Sequence, residues 1–473
     1  MLEILAQATQ PTTAASAAAA PGFELSPVTL SPFVLLLMAV PVLLVGEQLV
    51  RKFNWLGKLN IPGAVVGGLA TAFAILILQQ TIWPGLAVND QTSDVLWSWI
   101  TLPQWGLEEV PARSVTAPLL FIFFTCIGLN ASWQVAKTGG PTLLFYLLLA
   151  SVLAVVQYAA GVLTAVGVGE SPLMGAMCSG VSLMGGFGTA TGFASEFENA
   201  GLAHALEIGL AAAAFGVIAG GLIAGPMANY LMRGKQSNNV DPTQISSPEA
   251  DADGGWLSDI VQLDRQFFRT IIHLSLLFTC IKLGAFLGQW VQTEGTMLLQ
   301  QLPGINKEAK LAFPVYLGSM IVAVVIRNIH DLVGLKFIRS THVDLIGSFA
   351  LAWMLAAYII GLKLSVLLAL AAPMLAILAM QVVVMVAFSV FVVYPLMGRS
   401  YESAAMSAGM LGFGLGATSN AVATMKAMAR RYGPAPKAFL IVSVVGAFLI
   451  DFINSFLILG VLNLFRPLPG LVP

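Results

Sequence analysis

The stretch LMGGFGTATG, Leu183–Gly192, puts four glycines into ten residues inside one of the most apolar parts of the chain. Glycine is a poor helix residue, and an irregular backbone facing lipid leaves peptide groups unpaired. Such a segment is stable at membrane depth only where protein buries it or where it lines a wet cavity. A second stretch of the same kind, GMLGFGLGATSNA at 409–421, lies far along the chain. How these two segments are placed decides the fold.

The context is a membrane. Of 473 residues, 58% are hydrophobic and only 10% charged, against about 25% charged in a soluble domain. Net charge is −1, which gives no reason to expect a nucleic-acid partner. Cys126, Cys178 and Cys280 all fall in apolar runs and read as small hydrophobes. His204, His273, His330 and His342 form no metal-ligand spacing. Residues 1–32, rich in Ala, Thr and Pro, carry no Lys or Arg ahead of the first apolar run. A secretory signal fits them poorly, and they are expected to be a disordered extracytoplasmic tail.

Apolar runs follow at 33–50, 62–82, 115–136, 141–167, 172–196 and 204–232, then, after a polar segment, at 270–292, 312–334, 343–363, 366–395, 402–426 and 437–463. A helical crossing needs about 20 apolar residues. Runs 172–196 and 402–426 are long enough but glycine-rich, and each reads equally as a re-entrant hairpin of two half-helices. The charge distribution separates the two models, because cytoplasmic loops collect Lys and Arg. If all twelve runs cross, 11 basic residues fall inside and 10 outside. If the two glycine-rich runs are re-entrant, 16 fall inside and 5 outside, with Lys282 in mid-helix. The re-entrant model predicts ten crossings with both termini extracytoplasmic.

Five crossings per half make the halves inverted copies, and the sequence repeats accordingly. Ile127-Gly128-Leu129 recurs as Ile360-Gly361-Leu362, Pro141 as Pro373, and Gly186-Phe187-Gly188 as Gly412-Phe413-Gly414, at offsets of 233, 232 and 226 residues. The expected fold is therefore an all-α polytopic membrane protein of two inverted-topology repeats of five transmembrane helices, each with a re-entrant glycine-rich hairpin. The repeats are expected at 33–235, with hairpin 172–196, and at 269–466, with hairpin 402–426, joined by a cytoplasmic linker at 236–268. Paired, interrupted segments in two inverted halves are the sequence signature of a secondary transporter.

The chemistry follows from the hairpins. A half-helix starts with free N–H groups and partial positive charge, which suit a carboxylate, and ends with free carbonyls, which suit Na⁺. The candidate substrate-binding residues are Ser182, Gly186, Gly188 and Thr189 in the first hairpin and Gly412, Gly414, Thr418, Ser419 and Asn420 in the second. Asp451 and Asn454 share a helix face at i and i+3. A bare carboxylate in mid-membrane needs a cation or a donor, so this pair is a candidate Na⁺ site, with Asn130 a further amide ligand. Gln157 and Gln381 lie in the fourth helix of each half, where an amide bonds substrate or ties helices together; Gln381 is kept as a substrate candidate. Glu207 sits one turn into the helix after the first hairpin.

At these residues the chain resembles the bacterial sodium/glutamate symporters. The resemblance lies in Gly185–Gly188, in GFGLGAT at 412–418, RYGP at 431–434, GAFLIDFIN at 446–454, GLNA at 128–131 and GGLIAGP at 220–226. It extends from about residue 33 to 465. It implies Na⁺-coupled uptake of L-glutamate across the plasma (inner) membrane, and related carboxylate symporters imply a homodimer and an elevator motion of the module carrying both hairpins. Glutamate has a second carboxylate that favours a full cation, and Arg431, in the matching RYGP motif, is the candidate. No organic cofactor is expected. A membrane enzyme should carry a metal or catalytic cluster, and neither HExxH nor DDxxD occurs. A channel would need a filter or charged rings. The alternative within transporters is a symporter of another organic anion, such as a di- or tricarboxylate or a different amino acid.

Overall fold

A computed structural model of the chain describes residues 29–53, 56, 61–83, 86–94, 97, 99–103, 113–232, 256–301, 311, 313–334, 337–362, 364–416, 418–433 and 435–465. Residues 1–28 of the N-terminal tail and 236–255 of the linker lie outside them. The tail's last residues, Thr29–Leu30 (β1), pair in parallel with Ala87–Val88 (β2), and Gln91–Thr92 (β3) pairs antiparallel with Arg113–Ser114 (β4). The other regular elements among the described residues are helices.

The helices are α1 (Pro32–Lys52), α2 (Gly63–Thr81), α3 (Ala117–Asn130), the short α4 (Trp133–Thr138), α5 (Gly140–Gly167), α6 (Pro172–Met184), α7 (Gly186–Asn199) and α8 (Ala205–Leu231). After the linker come α9 (Trp256–Gln301), α10 (Val315–Leu332), α11 (Ser340–Ile360), α12 (Leu364–Phe388, carried on to Leu396), α13 (Tyr401–Gly414), α14 (Thr418–Tyr432), α15 (Pro436–Val444) and α16 (Ile450–Phe465). A π-helical turn, Val445–Leu449, joins the last two. The starts are written in the sequence. Ser31 and Ser171 cap α1 and α6, each followed by a proline in the first turn, and Ser400 caps α13. Proline costs nothing there, because its missing N–H would have had no partner.

Eight described helices are long and apolar enough to cross a membrane, among them α5, α8 and α12. Of the runs expected to cross, 115–136 yields only the 14-residue α3, and 437–463 becomes α15 and α16 joined by the π-turn. Neither glycine-rich run gives one spanning helix; both break at their glycines. The seventh run is longer than its apolar core suggests, since α9 starts at Trp256 and extends 46 residues. Hydropathy marks only the part in lipid, and the polar residues before it continue the same helix.

The helices fall into two groups, each packed mainly within itself and meeting the other along a seam where α3, α10 and α11 touch α7. The first comprises α1, α2, α3, α9, α10 and α11; the second comprises α5 to α8 and α12 to α16. Within the first, α9 and α10 approach backbone to backbone. A Cβ on Gly284 would strike Ser319, and one on Gly288 would lie 2.6 Å from the Val315 carbonyl. Close approach at small residues replaces the hydrophobic drive that lipid cannot supply. Lys282, buried on α9, donates to the Trp99 and Leu102 carbonyls at 2.5 and 2.9 Å and lies 3.7 Å from the Trp99 ring centre. It therefore pins the segment before α3.

Where the chain leaves the first group, α10 holds it. Arg327 donates to Asp331 at 3.0 Å and to the Leu129 carbonyl at 3.3 Å, Asn328 bonds the Ala131 carbonyl and the Trp133 N–H, and Ser132 donates to Asp331. His330 lies 3.1 Å from the same carboxylate. Asp331→Ala would strand a nearly buried guanidinium, so a loss of about 3–5 kcal/mol is expected. A thermal-shift assay in detergent checks it, with Glu47→Ala on exposed surface as the neutral reference.

Candidate functional site

The two glycine segments meet tip to tip. In the first, α6 is distorted at Ser179 (φ −121°, ψ −121°) and ends at Met184. The chain turns at Gly186, whose φ of +65° an L side chain rarely adopts, and α7 sets off. In the second, α13 ends at Gly414, the chain turns through Gly416 at φ +157°, and α14 begins at Thr418. A Cβ on Gly186 would come within 3.0 Å of the Gly416 carbonyl oxygen.

The second segment is a closed hairpin. Its arms touch near the tip, where a Cβ on Gly412 would lie 2.6 Å from Ala421, and at the base, where the Tyr401 hydroxyl donates to the Gly433 carbonyl. The two arms therefore lie side by side from base to tip. Helix α8 runs past both tips. At Gly216 it abuts Leu183 of the first and the Leu415 carbonyl of the second, contacts that only a residue without a Cβ permits.

Around the tips lie four buried polar oxygens with no hydrogen-bond partner among the described residues: Ser182 Oγ, Gln157 Oε1, Gln381 Oε1 and Asn420 Oδ1. The nitrogens of the three amides are used. Gln157 Nε2 donates to the Gly414 carbonyl at 2.9 Å, Gln381 Nε2 to the Gln157 carbonyl at 2.8 Å, and Asn420 Nδ2 to the Val217 carbonyl at 2.8 Å. Each amide is thus fixed with its oxygen unspent. An unmet buried acceptor costs about 1–3 kcal/mol, a cost removed by a cation or an N–H donor arriving at the oxygen. The N-terminus of α7 has no side-chain cap, so its leading N–H groups are open to an anion.

The remaining candidates divide. Thr189 is buried beside Gly185, and Thr418 donates its hydroxyl to the Gly446 carbonyl, joining the second tip to the last helices. Gly188 packs against the Phe123 ring of the first helix group, and Gly414 lies 2.5 Å, as a Cβ, from Met385. The side chains of Ser419 and Arg431 lie outside the described residues. The backbone of Arg431 is in the last turn of α14, about 20 Å along the helix from the tip at 1.5 Å per residue.

Asn454 accepts from the Tyr158 hydroxyl at 2.8 Å and donates to the Gly180 carbonyl at 2.9 Å, so it ties α5, α6 and α16 together. Asp451, one turn earlier on the same helix, accepts from the Ser455 hydroxyl at its backbone carbonyl at 2.8 Å, while its carboxylate has no hydrogen-bond or ion-pair partner among the described residues. Asn130 lies apart from both, in the first helix group, donating to Asp344 at 2.6 Å. Sequence reasoning missed Gly416 and Gly216 as tip residues and left Gln157 as helix glue. For Gly416 the signal was present in the GFGLGAT run; for Gly216 nothing local distinguishes it from its alanine-rich neighbours.

The family described as Sodium/glutamate symporter matches this chain over residues 28–102 and 107–434. A sodium/glutamate symporter of Escherichia coli (strain K12) is 33% identical over 430 residues, 89% of this chain and 95% of that protein. One of Haemophilus influenzae is 34% identical over 433 residues, 91% of this chain and 96% of that protein.

Proposed function

The chain belongs to the sodium/glutamate symporter family, and from that premise we propose that it moves L-glutamate across the plasma membrane together with Na⁺, by alternating access at the meeting point of its two hairpins. It is a transporter and not an enzyme. The observation that carries the reading is the contact of two broken, glycine-turned segments ringed by four unpartnered oxygens. Glutamate presents carboxylates and one ammonium. The uncapped start of α7, at Gly186 to Thr189, suits a carboxylate, and the start of α14, at Thr418 to Asn420, offers a second. The oxygens of Ser182, Gln157, Gln381 and Asn420 suit the ammonium or Na⁺. Asp451 supplies the anionic Na⁺ ligand, and Asn454 orients the helix that carries it.

In the same proposal the halves are inverted repeats at 33–235 and 269–466, with ten crossings and both termini outside. The 16-to-5 distribution of basic residues supports that orientation. The division into two helix groups, each packed mainly within itself, supports an elevator in which α5 to α8 and α12 to α16 travel against the first group. The first group would then be the fixed scaffold and hold the homodimer contact.

The test is uptake of labelled L-glutamate into proteoliposomes under an inward Na⁺ gradient, with choline as the control. Uptake that requires Na⁺ and survives a protonophore is the expected result. Folded, inserted protein that takes up no glutamate, yet takes up another organic anion with Na⁺, would overturn the substrate assignment.

A further inference from the structure

The start of α15 has no cap of its own. Ala435 stands at the capping position without a side-chain acceptor, and Pro436 opens the first turn. The acceptor comes from another helix. Glu402 of α13 takes the Ala438 N–H at 2.7 Å, and the Lys437 N–H faces the same carboxylate. Glu402 also lies in the first turn of α13, whose start Ser400 caps. One carboxylate thus stands at the positive ends of two helices.

These helices lead to different parts of the site. Helix α13 ends at the second tip, whereas α15 passes through the π-turn into α16, which carries Asp451 and Asn454. They pack closely on the way. A Cβ on Gly409 would lie 2.7 Å from Val442, and one on Gly446 would lie 3.1 Å from the Phe413 ring. Those contacts are apolar and non-directional. Hydrogen bonds stand at the two ends, Glu402 to Ala438 at the base and the Thr418 hydroxyl to the Gly446 carbonyl at the tip. The other arm is tied to a different neighbour. Asn420 donates to the Val217 carbonyl at 2.8 Å and the Tyr432 hydroxyl to Asn229 at 3.0 Å, both on α8. The hairpin is therefore strung between α8 on one side and α15 with α16 on the other.

We propose that Glu402 is a positioning residue for ion coupling, fixing the first arm of the second hairpin against the helix that carries Asp451. It touches neither substrate nor Na⁺. It keeps the tip oxygens in register with the Asp451 carboxylate, because ligands on separate elements hold an ion only while their supports keep them within about 0.5 Å of the binding geometry. The inference rests on the reading of Asp451 as a Na⁺ ligand given above.

The test uses full-length Glu402→Ala and Glu402→Gln. Glutamate uptake is followed against Na⁺ concentration, and the rise in melting temperature on adding Na⁺ is measured in detergent. Glu402→Ala should raise the Na⁺ concentration for half-maximal uptake at least fivefold, with the maximal rate within twofold. Glu402→Gln, whose amide oxygen still accepts the Ala438 N–H, should shift it by no more than twofold. Ser407→Ala, on the same arm, loses a bond to the Ser403 carbonyl of its own helix and should leave it unchanged. A second change separates positioning from capping. In Glu402→Ala, Ala435→Ser gives α15 a local cap without a tie to α13. The melting temperature should recover while the shift in Na⁺ dependence stays, and this variant carries the test where Glu402→Ala alone does not purify. The proposal is overturned if Glu402→Ala leaves the Na⁺ dependence within twofold, if Glu402→Gln shifts it as far, or if Ala435→Ser restores it. The melting shift needs no glutamate, so failure of the glutamate reading shows in uptake by the unaltered protein and leaves the comparison of variants intact.

Discussion

Gly416→Ala lowers Na⁺-driven glutamate uptake roughly 10- to 100-fold while the protein still inserts and purifies as a single species. The backbone at Gly416 sits at φ +157°, a conformation open to glycine and costing an L residue about 1–3 kcal/mol. The new methyl group would also stand 2.6 Å from the Val217 N–H, on the helix that passes both tips. Relief requires the second tip to move off α8, which disturbs its close contact with Gly186. Since about 1.4 kcal/mol is a factor of ten, strain and displacement together set the expected range. Gly225→Ala is the control: it lies on the same helix α8, where a Cβ would meet nothing within 4 Å, and it should transport normally. Uptake by Gly416→Ala within twofold of the unaltered protein would remove the tips from the transport site.

The second large effect is expected at Asp451, and it has two parts of opposite sign. A carboxylate within the membrane costs about 2.5–3.5 kcal/mol, and no partner among the described residues offsets it. Asp451→Asn removes that charge with little change in shape, so the protein should gain thermal stability in Na⁺-free detergent solution. If the carboxylate is the Na⁺ ligand, Na⁺-dependent uptake should fall by about 100-fold, the equivalent of that same energy. The stabilisation by Na⁺ seen in the unaltered protein should shrink with it, because a ligand stabilises only the state that binds it. A variant destabilised in the absence of Na⁺, or one whose Na⁺ dependence of uptake is unchanged, would make Asp451 a structural hydrogen-bonding residue.

The two predictions draw on different amounts of sequence information. Asp451 could be selected from the sequence because a carboxylate inside GAFLIDFINSF is conspicuous at any packing. The same reasoning paired it with Asn454, and here the structure adds what spacing omits: both polar groups of Asn454 are already bonded, to Tyr158 and Gly180, from elements about 300 and 270 residues away in the chain. Asn130 shows the same limit. Its motif, GLNA, resembles the family, but α10 and α11 hold it among the first group of helices.

The sequence by itself determined that the chain lives in a membrane, that two segments cannot be plain crossings, and which family it belongs to. Those conclusions rest on composition, on the distribution of basic residues, and on glycines set against an apolar background, all readable along the chain. Only the tertiary structure decided that Gly186 meets Gly416, that Gly216 admits both tips, and that Ser182, Gln157, Gln381 and Asn420 keep an oxygen unspent. The physical reason is that a buried amide has a nitrogen and an oxygen with separate fates. Which of them is satisfied depends on carbonyls from distant helices, and no spacing along one helix encodes that.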